Sequence, residues 1–278
     1  MRLFIFGLGY SAARVAMLAE ARGAVVTATT RDGRGGTLRF DERAAVLPAL
    51  AAATHVLSSV PPDGDVDPVL GHYADELAGK WLGYLSSTGV YGDTGGAWVD
   101  ESAPVGGRRP ARAAADLAWL GLGARVFRLP GIYGPGRSAL DRVRSGEAHR
   151  VGGASSSGGV FSRIHVDDLA AGVIAGLDAP AGAYNLADGL PASHDAVIAF
   201  AAALLGVAAP PIVSLDRLSP TTRGFHAENR RVSAAKARRV LGWAPRYPDY
   251  RAGLRAVSAT TSPTAAKPAP PAASGVQR

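Results

Sequence analysis

The chain has 278 residues, 47% of them hydrophobic and 19% charged, which suits one large domain or two modest ones and excludes a chain disordered throughout. It contains no cysteine, so disulfides and thiolate metal sites are excluded. The net charge of +7 comes almost wholly from arginine, because Lys80, Lys236 and Lys267 are the only lysines. The arginines are scattered in small groups, of which Arg108, Arg109 and Arg112 form one. That distribution fits a basic pocket for an anionic small molecule better than a nucleic-acid surface.

In chain order, Leu3–Phe6 reads as a strand and Ala12–Glu20 as a helix, followed by the β-branched strand Val25–Thr27. Thr37–Phe40 is a brief strand, Arg43–Ala52 a helix, Thr54–Val60 a strand, and His72–Gly79 the end of another helix. Leu82–Ser86 and Ala124–Leu129 are strands on either side of a helix at Ala111–Leu120. Strands separated by helices of this length predict right-handed βαβ units and a parallel sheet. Beyond Gly131 come a Gly/Ser-rich stretch (Gly152–Gly159), a strand at Phe161–His165 and a helix at Val166–Leu177. A strand at Ala183–Leu186 and helices at Ala196–Leu205 and Ala234–Leu241 follow.

The expected fold is α/β: a doubly wound parallel-sheet Rossmann domain over 1–257. A small C-terminal substrate lobe is expected mainly from 131–160 and 188–257. Residues 258–278, rich in Ala, Pro, Ser and Thr, are expected to be a disordered tail. No apolar run reaches the roughly 18–20 residues of a membrane helix, and the chain opens directly into a strand. A cytoplasmic protein without a leader or membrane anchor is the expectation.

Gly7-Leu8-Gly9-Tyr10-Ser11-Ala12 is G-x-G-x-x-A between the first strand and the first helix. Gly7 permits the tight turn, Gly9 lets a pyrophosphate approach the backbone, and Ala12 lets helix and strand pack closely. The helix N-terminus offers free N–H groups and a positive dipole end to the phosphates. The motif predicts a dinucleotide site, with Tyr10 and Ser11 beside it and Ser58, Ser59 and Val60 bordering it after the fourth strand. Thr30 and Arg31 end the second strand, where an arginine accommodates the extra phosphate of NADP and a carboxylate binds the ribose of NAD. NADP is preferred, and Asp32 keeps NAD open.

Three further stretches carry a family resemblance. Ser86-Ser87-Thr88-Gly89-Val90-Tyr91-Gly92 ends the fifth strand, Arg128-Leu129-Pro130-Gly131-Ile132-Tyr133-Gly134-Pro135-Gly136 follows the sixth, and Arg163-Ile164-His165-Val166-Asp167-Asp168-Leu169 enters a helix. Together with the N-terminal motif they resemble the extended short-chain dehydrogenase/reductases, the NAD-dependent epimerase/dehydratase group. The resemblance spans residues 1–257 and also includes Leu241-Gly242-Trp243. It implies hydride transfer between a nicotinamide and a small-molecule substrate, an anionic sugar nucleotide among the candidates, and a homodimer built on the fourth and fifth helices.

The same resemblance implies a catalytic Tyr-x-x-x-Lys pair, and here the sequence departs from it. Asp100-Glu101-Ser102-Ala103-Pro104 matches the approach and Asp116 the acidic end, which puts Arg108 at the tyrosine position and Arg112 at the lysine position. Four residues before the lysines stand Glu76, Val232 and Pro263, so the chain has no Tyr-x-x-x-Lys. A phenol of pKa about 10 needs a nearby cation to ionise near neutrality, and arginine itself is a poor base. This pattern, with Gly-Tyr-Ser-Ala at the start, resembles the atypical, nucleoside-diphosphate-sugar epimerase-like branch.

The expected catalytic group is therefore Ser87 or Thr88 with Arg108 and Arg112, the two arginines lying one helical turn apart on one face. Arg112 also partly stands in for the lysine at the cofactor ribose and Arg108 grips an anionic substrate, while two merely solvated arginines remain the alternative. Tyr91, Tyr133 and Arg163 are expected to contact substrate, Asp167 to cap its helix with Arg163 as its partner, and His165 to pack or orient. The histidines lack metal-ligand spacing, so no metal is expected. Two functions stay open: an NAD(P)-dependent oxidoreductase or epimerase-type enzyme with a non-standard acid/base, and an inactive NADP-binding regulator or scaffold.

Overall fold

A computed structural model describes residues 1–152, 159–219, 223 and 228–260. In chain order it contains β1 (Arg2–Phe6), α1 (Tyr10–Glu20), β2 (Val25–Thr30), β3 (Leu38–Arg39), α2 (Arg43–Ala51), β4 (His55–Ser58), α3 (Pro68–Tyr73) and β5 (Trp81–Ser87). These are followed by α4 (Pro110–Gly121), β6 (Arg125–Leu129), α5 (Ala139–Arg144), α6 (Val166–Ala175), β7 (Gly182–Asn185), α7 (His194–Leu204), α8 (Ala235–Leu241) and α9 (Tyr250–Thr260).

The seven main strands form one parallel sheet in the order β7-β6-β5-β4-β1-β2-β3. This is a doubly wound Rossmann fold. β1 pairs with β2 on one side and β4 on the other, so the winding reverses beside it and leaves a crevice at the carboxyl ends of the strands. Register aligns those ends: Phe6 lies opposite Ser58, Ser58 opposite Tyr84, and Ser87 opposite Leu129.

Alternation along the strands feeds two cores. Leu3, Ile5, Leu57, Leu85 and Phe127 point to one face, where Ala12, Val15, Ala16 and Ala19 of α1 and Leu169 and Val173 of α6 cover them. Phe4, Phe6, Val56, Tyr84 and Val126 point to the other, beneath Val46, Leu50, Val69 and Trp119 of α2, α3 and α4. Trp119 is fully buried, stacks on Tyr84 at 5.5 Å between centroids, and donates its indole N–H to Asp67. Its truncation to alanine is worth about 3–5 kcal/mol.

A third core joins α5, α7 and α9 through Leu140, Val143, Ile198, Ala201, Leu254 and Val257. Short paired strands tie this lobe to the sheet, with residues 131–133 running parallel to 163–165 and residues 98–99 parallel to 231–232.

Several local expectations are corrected. The strand expected over Phe161–His165 divides at Ser162, whose hydroxyl accepts from the Val232 amide, and its halves pair with different partners. The helix expected to end at His72–Gly79 starts at Pro68, with Asp67 capping it, and closes as a 3-10 turn at Leu77. Residues 250–260, unassigned from sequence, form α9; Asp249 caps it by accepting from the Arg251 and Ala252 amides. Residues 258–260 therefore complete a helix rather than begin the tail. The rest of that tail, 261–278, and most of the Gly/Ser-rich stretch, 153–158, lie outside the described residues. Among the described residues no helix is long and apolar enough to cross a membrane, and no acidic or histidine cluster is arranged to hold a metal.

Candidate cofactor cradle and substrate pockets

The turn after β1 forms a cradle. Gly7 has φ 81°, and a Cβ there would come within 3.0 Å of Val60 Cγ2. Its amide donates to Thr29 Oγ1 at 3.2 Å, and the Leu8 amide donates to the Thr29 carbonyl at 2.8 Å. Gly9 stands at the cap of α1, where among the described residues no side chain hydrogen-bonds the first turn and a Cβ on Gly9 would meet nothing within 4 Å. The protein's own packing therefore does not demand glycine there, whereas a ligand approaching the amides of α1 would. Ala12 is fully buried beneath the cradle, and Tyr10 and Ser11 are half-buried beside it.

Across the crevice Ser59 donates its amide to Phe6, and Ser58 Oγ is fully buried with no hydrogen-bond partner among the described residues. Thr30 ends β2 with its hydroxyl 2.7 Å from that of Thr37, which closes an exposed arginine- and glycine-rich loop. Arg31 projects from that loop into solvent, and Asp32 lies 3.6 Å from Arg34. Arg34 was not singled out by the sequence, although a second arginine in Arg-Asp-Gly-Arg-Gly-Gly was the available signal.

At the tip of β5, Ser87 Oγ accepts from the Gly89 amide at 3.1 Å. Ser87 lines a cavity of about 140 Å³ together with Gly89, Arg108, Arg109, Arg112, Glu228 and Arg230. The geometry of the two expected arginines is corrected: α4 begins at Pro110, so Arg108 precedes the helix and only Arg112 lies on its first turn. A loop, not a shared helical face, brings them together. Arg108 Nε and Arg230 both donate to the buried Glu228 carboxylate, and Arg112 donates to the Tyr84 hydroxyl at 3.0 Å. Burial pushes the Tyr84 phenol up to about 12, with Arg112 opposing. Glu228, Arg230 and Tyr84 escaped the sequence reading, because pairing across such separations leaves no local pattern.

Thr88 and Tyr91 follow Ser87 but are buried. The Tyr91 hydroxyl donates to Asn185 at 2.8 Å and accepts from Arg128 at 3.0 Å, and burial raises its pKa. Arg128 in turn clasps Asp116, which also receives the Ser86 hydroxyl at 2.6 Å. This closed network holds the end of β5 to α4 and β6.

A second cavity, of about 690 Å³, opens in the lobe. That is within the roughly 300–1,000 Å³ usual for small-molecule sites. Tyr133, Arg137, Arg142, His149, Arg163 and His194 are among its walls. Arg163 donates to the carbonyls of Phe161 and Ala192 at 2.9 and 2.8 Å, and burial lowers its pKa to about 10. The Tyr133 ring packs so closely on α9 that a Cβ on Gly253 would lie 2.0 Å from its hydroxyl, and burial raises that phenol.

Asp167 does not cap α6. His165 does, accepting from the Asp167 amide at 3.2 Å, and the Asp167 carboxylate pairs with Arg14 on α1 rather than with Arg163. Tyr10 links the cradle to the loop bordering the large cavity: its hydroxyl donates to the Pro135 carbonyl at 3.1 Å, and Arg137 lies over its ring. Of the expected site residues, Ser87, Arg108 and Arg112 thus meet at one pocket. Gly7, Gly9 and Ser58–Val60 meet at the cradle, and Tyr133 and Arg163 line the larger cavity.

No family model matches the chain. It is 31% identical over 179 residues to the 3-diazoavenalumate denitrifying reductase of a Streptomyces species, a stretch covering 56% of this chain and 58% of that protein. Among solved structures, a functionally unknown conserved protein from Silicibacter pomeroyi is 36% identical with a TM-score of 0.85, covering 93% of this chain and 98% of that one. The Thermus thermophilus UDP-glucose 4-epimerase, solved with NAD, is 19% identical with a TM-score of 0.74, covering 94% and 100%.

Proposed function

We propose that this chain, which belongs by fold and motifs to the extended short-chain dehydrogenase/reductase family, is an NADP(H)-dependent oxidoreductase or epimerase-type enzyme with a non-standard acid/base. The observation that carries this reading is the arrangement at the sheet's carboxyl edge. An open, glycine-lined helix N-terminus and a buried Ser58 hydroxyl without a partner among the described residues share that edge with a serine pocket rich in arginine.

A nicotinamide dinucleotide fits the cradle, and it would supply hydride transfer. The amides of Tyr10 and Ser11 would hold its diphosphate, Ser58–Val60 would border it, and Arg31 would take a 2′-phosphate. Ser87 orients the substrate's reacting oxygen, and Arg108 and Arg112 stabilise negative charge developing there. Positioning and electrostatics of this kind sustain turnover without a dedicated base, whose contribution is typically about 10²–10⁴-fold. The described residues within 131–160 and 188–257 would supply the substrate lobe, beside which Arg163 offers a cation to an anionic substrate such as a sugar nucleotide. The exposed Leu117 of α4 and Leu122 just past its end suit a homodimer contact.

A second reading is favoured by one observation: the Tyr91 hydroxyl is enclosed in a buried network and the Tyr133 hydroxyl is packed against α9, so neither phenol replaces the missing tyrosine. A cofactor-binding regulator or scaffold without turnover would have that appearance. Titration of the protein with NADPH, followed by fluorescence, tests the shared premise. Absorbance at 340 nm across sugar nucleotides, ketones and diazo-carboxylates then separates the two. Because an epimerase returns its cofactor unchanged, the sugar nucleotides are also incubated with NADP+ and resolved by chromatography; binding with neither oxidation of NADPH nor isomerisation of any of them rejects the enzyme.

A further inference from the structure

Arg108 and Arg112 are each held at a single nitrogen by a buried acceptor. Arg108 Nε donates to Glu228, whose side chain is only 7% exposed, and Arg112 NH1 donates to the fully buried Tyr84 hydroxyl at 3.0 Å. Among the described residues no acceptor meets the terminal nitrogens of Arg108 or the remaining nitrogens of Arg112. Both arginines line the pocket that Ser87 opens onto.

Arg230 plays another part. Its NH1 donates both to Glu228 and to the Gly92 carbonyl, so it serves as the second clamp on Glu228. The two carboxylate oxygens of Glu228 are thereby divided between two arginines, which fixes the direction of the Arg108 side chain. Tyr84 is fixed in turn by its stack on Trp119.

We infer that Arg108 and Arg112 form a preorganised clamp for a carboxylate on the reacting half of the substrate, with Glu228 and Tyr84 as the residues that position it. This rests on the reading of the Ser87 pocket as the reaction site and adds the substrate class. A cavity of about 140 Å³ admits a carboxylate and its adjoining carbons and lies below the roughly 300–1,000 Å³ usual for whole small-molecule sites. Arginine's planar fork matches a planar carboxylate in two parallel hydrogen bonds, and a guanidinium already held in place loses less freedom on forming them. With Arg108, Arg109, Arg112 and Arg230 against Glu228 alone, the lining also carries an excess positive charge that a ligand anion would offset.

The test is calorimetric titration of the full chain with benzoate as the planar carboxylate probe, with inorganic phosphate run in parallel. NADPH binding is measured separately on every variant. Benzoate is expected to bind wild-type protein more tightly than phosphate does. Glu228→Gln removes a negative charge, so simple electrostatics would strengthen anion binding. Positioning demands the opposite, because an amide accepts from one arginine and repels the other, and about tenfold weaker binding is expected. Tyr84→Phe keeps the buried ring but leaves Arg112 unanchored, and it should weaken benzoate severalfold. Arg108→Lys keeps the charge without the fork and should lose most of the preference for benzoate over phosphate.

Stronger benzoate binding in Glu228→Gln, unchanged binding in Tyr84→Phe, or no binding by wild-type protein overturns the clamp. None of these results touches the cofactor reading, which falls only if NADPH itself fails to bind.

Discussion

Asp116 on α4 and Arg128 on β6 form an ion pair sealed from water. Two nitrogens of Arg128 meet the two carboxylate oxygens at 2.7 and 3.1 Å, with the side chains 0 and 3% exposed. Ser86 and Tyr91 complete their hydrogen bonding, so neither charge is left unsatisfied. Removing one partner strands the other in a low-dielectric site, which costs about 3–5 kcal/mol, whereas replacing both by apolar groups is often neutral. Asp116→Ala should therefore lose stability on that scale in urea unfolding. The double substitution Asp116→Leu with Arg128→Met should recover much of it. Equal losses in the single and double variants would show that the pair's local charge balance is not what matters.

Asp188 predicts a pH dependence. It is buried, one carboxylate oxygen accepts from the Leu190 amide at 3.2 Å, and the other has no partner among the described residues. Burial raises its pKa to about 7, against an opposing pull from Arg163 and with a push in the same direction from Asp249. A folded-state pKa above the unfolded value means a contribution that is fully present below about pH 4 and lost as pH rises through 7. The span is on the order of 4 kcal/mol. Asp188→Asn stays neutral throughout, so its stability relative to wild type should climb between pH 4 and 7.5 in paired unfolding curves. A difference that stays flat with pH contradicts the assignment.

The parallel sheet was legible because its strands alternate strictly between two apolar faces and its helices fill the spacing between them. The turn after β1 was legible because a tight turn between a strand and a helix is local, requiring only glycines at fixed places. The Ser87 pocket was legible in part: family position pointed to Arg108 and Arg112, but Glu228 reaches Arg108 from 120 residues away. No periodicity encodes that separation. The cap of α6 was misassigned because Asp167 is a common capping type, yet its carboxylate goes to Arg14 and the preceding imidazole takes the cap. Helix α9 was missed because Tyr250, Leu254 and Val257 form a thin apolar stripe beside a stretch of Ala, Pro, Ser and Thr.

The two cradle glycines should fail differently. At Gly7 an alanine must adopt φ near 81° and meet Val60 at 3.0 Å, so Gly7→Ala should destabilise the fold by at least about 1–2 kcal/mol. At Gly9 the backbone is extended and a Cβ has open space, so Gly9→Ala should cost no more than about 1 kcal/mol in stability. That methyl nevertheless stands where a diphosphate must approach the α1 amides. NADPH affinity should fall at least about tenfold, or 1.4 kcal/mol. Thermal melting and fluorescence titration of the two variants separate the effects. A Gly9→Ala protein that binds NADPH normally would move the diphosphate away from this turn.

Cofactor preference turns on the loop after β2. Asp32 is the residue that would read the ribose hydroxyls of NAD, yet its carboxylate lies 3.6 Å from Arg34, and Arg31 is exposed at the strand end. With the carboxylate offset by one arginine and a second one open, the loop presents net positive charge to a 2′-phosphate. Arg31→Asp should reverse that charge and shift the ratio of NADPH to NADH dissociation constants toward NADH by at least about tenfold. Arg34→Ala should release Asp32 and move the ratio the same way by a smaller factor. Because these groups are exposed, the wild-type preference should also shrink between 50 and 300 mM salt, as the Debye length contracts below roughly 10 Å. A preference for NADPH that survives Arg31→Asp unchanged would place the 2′-phosphate contact on other residues.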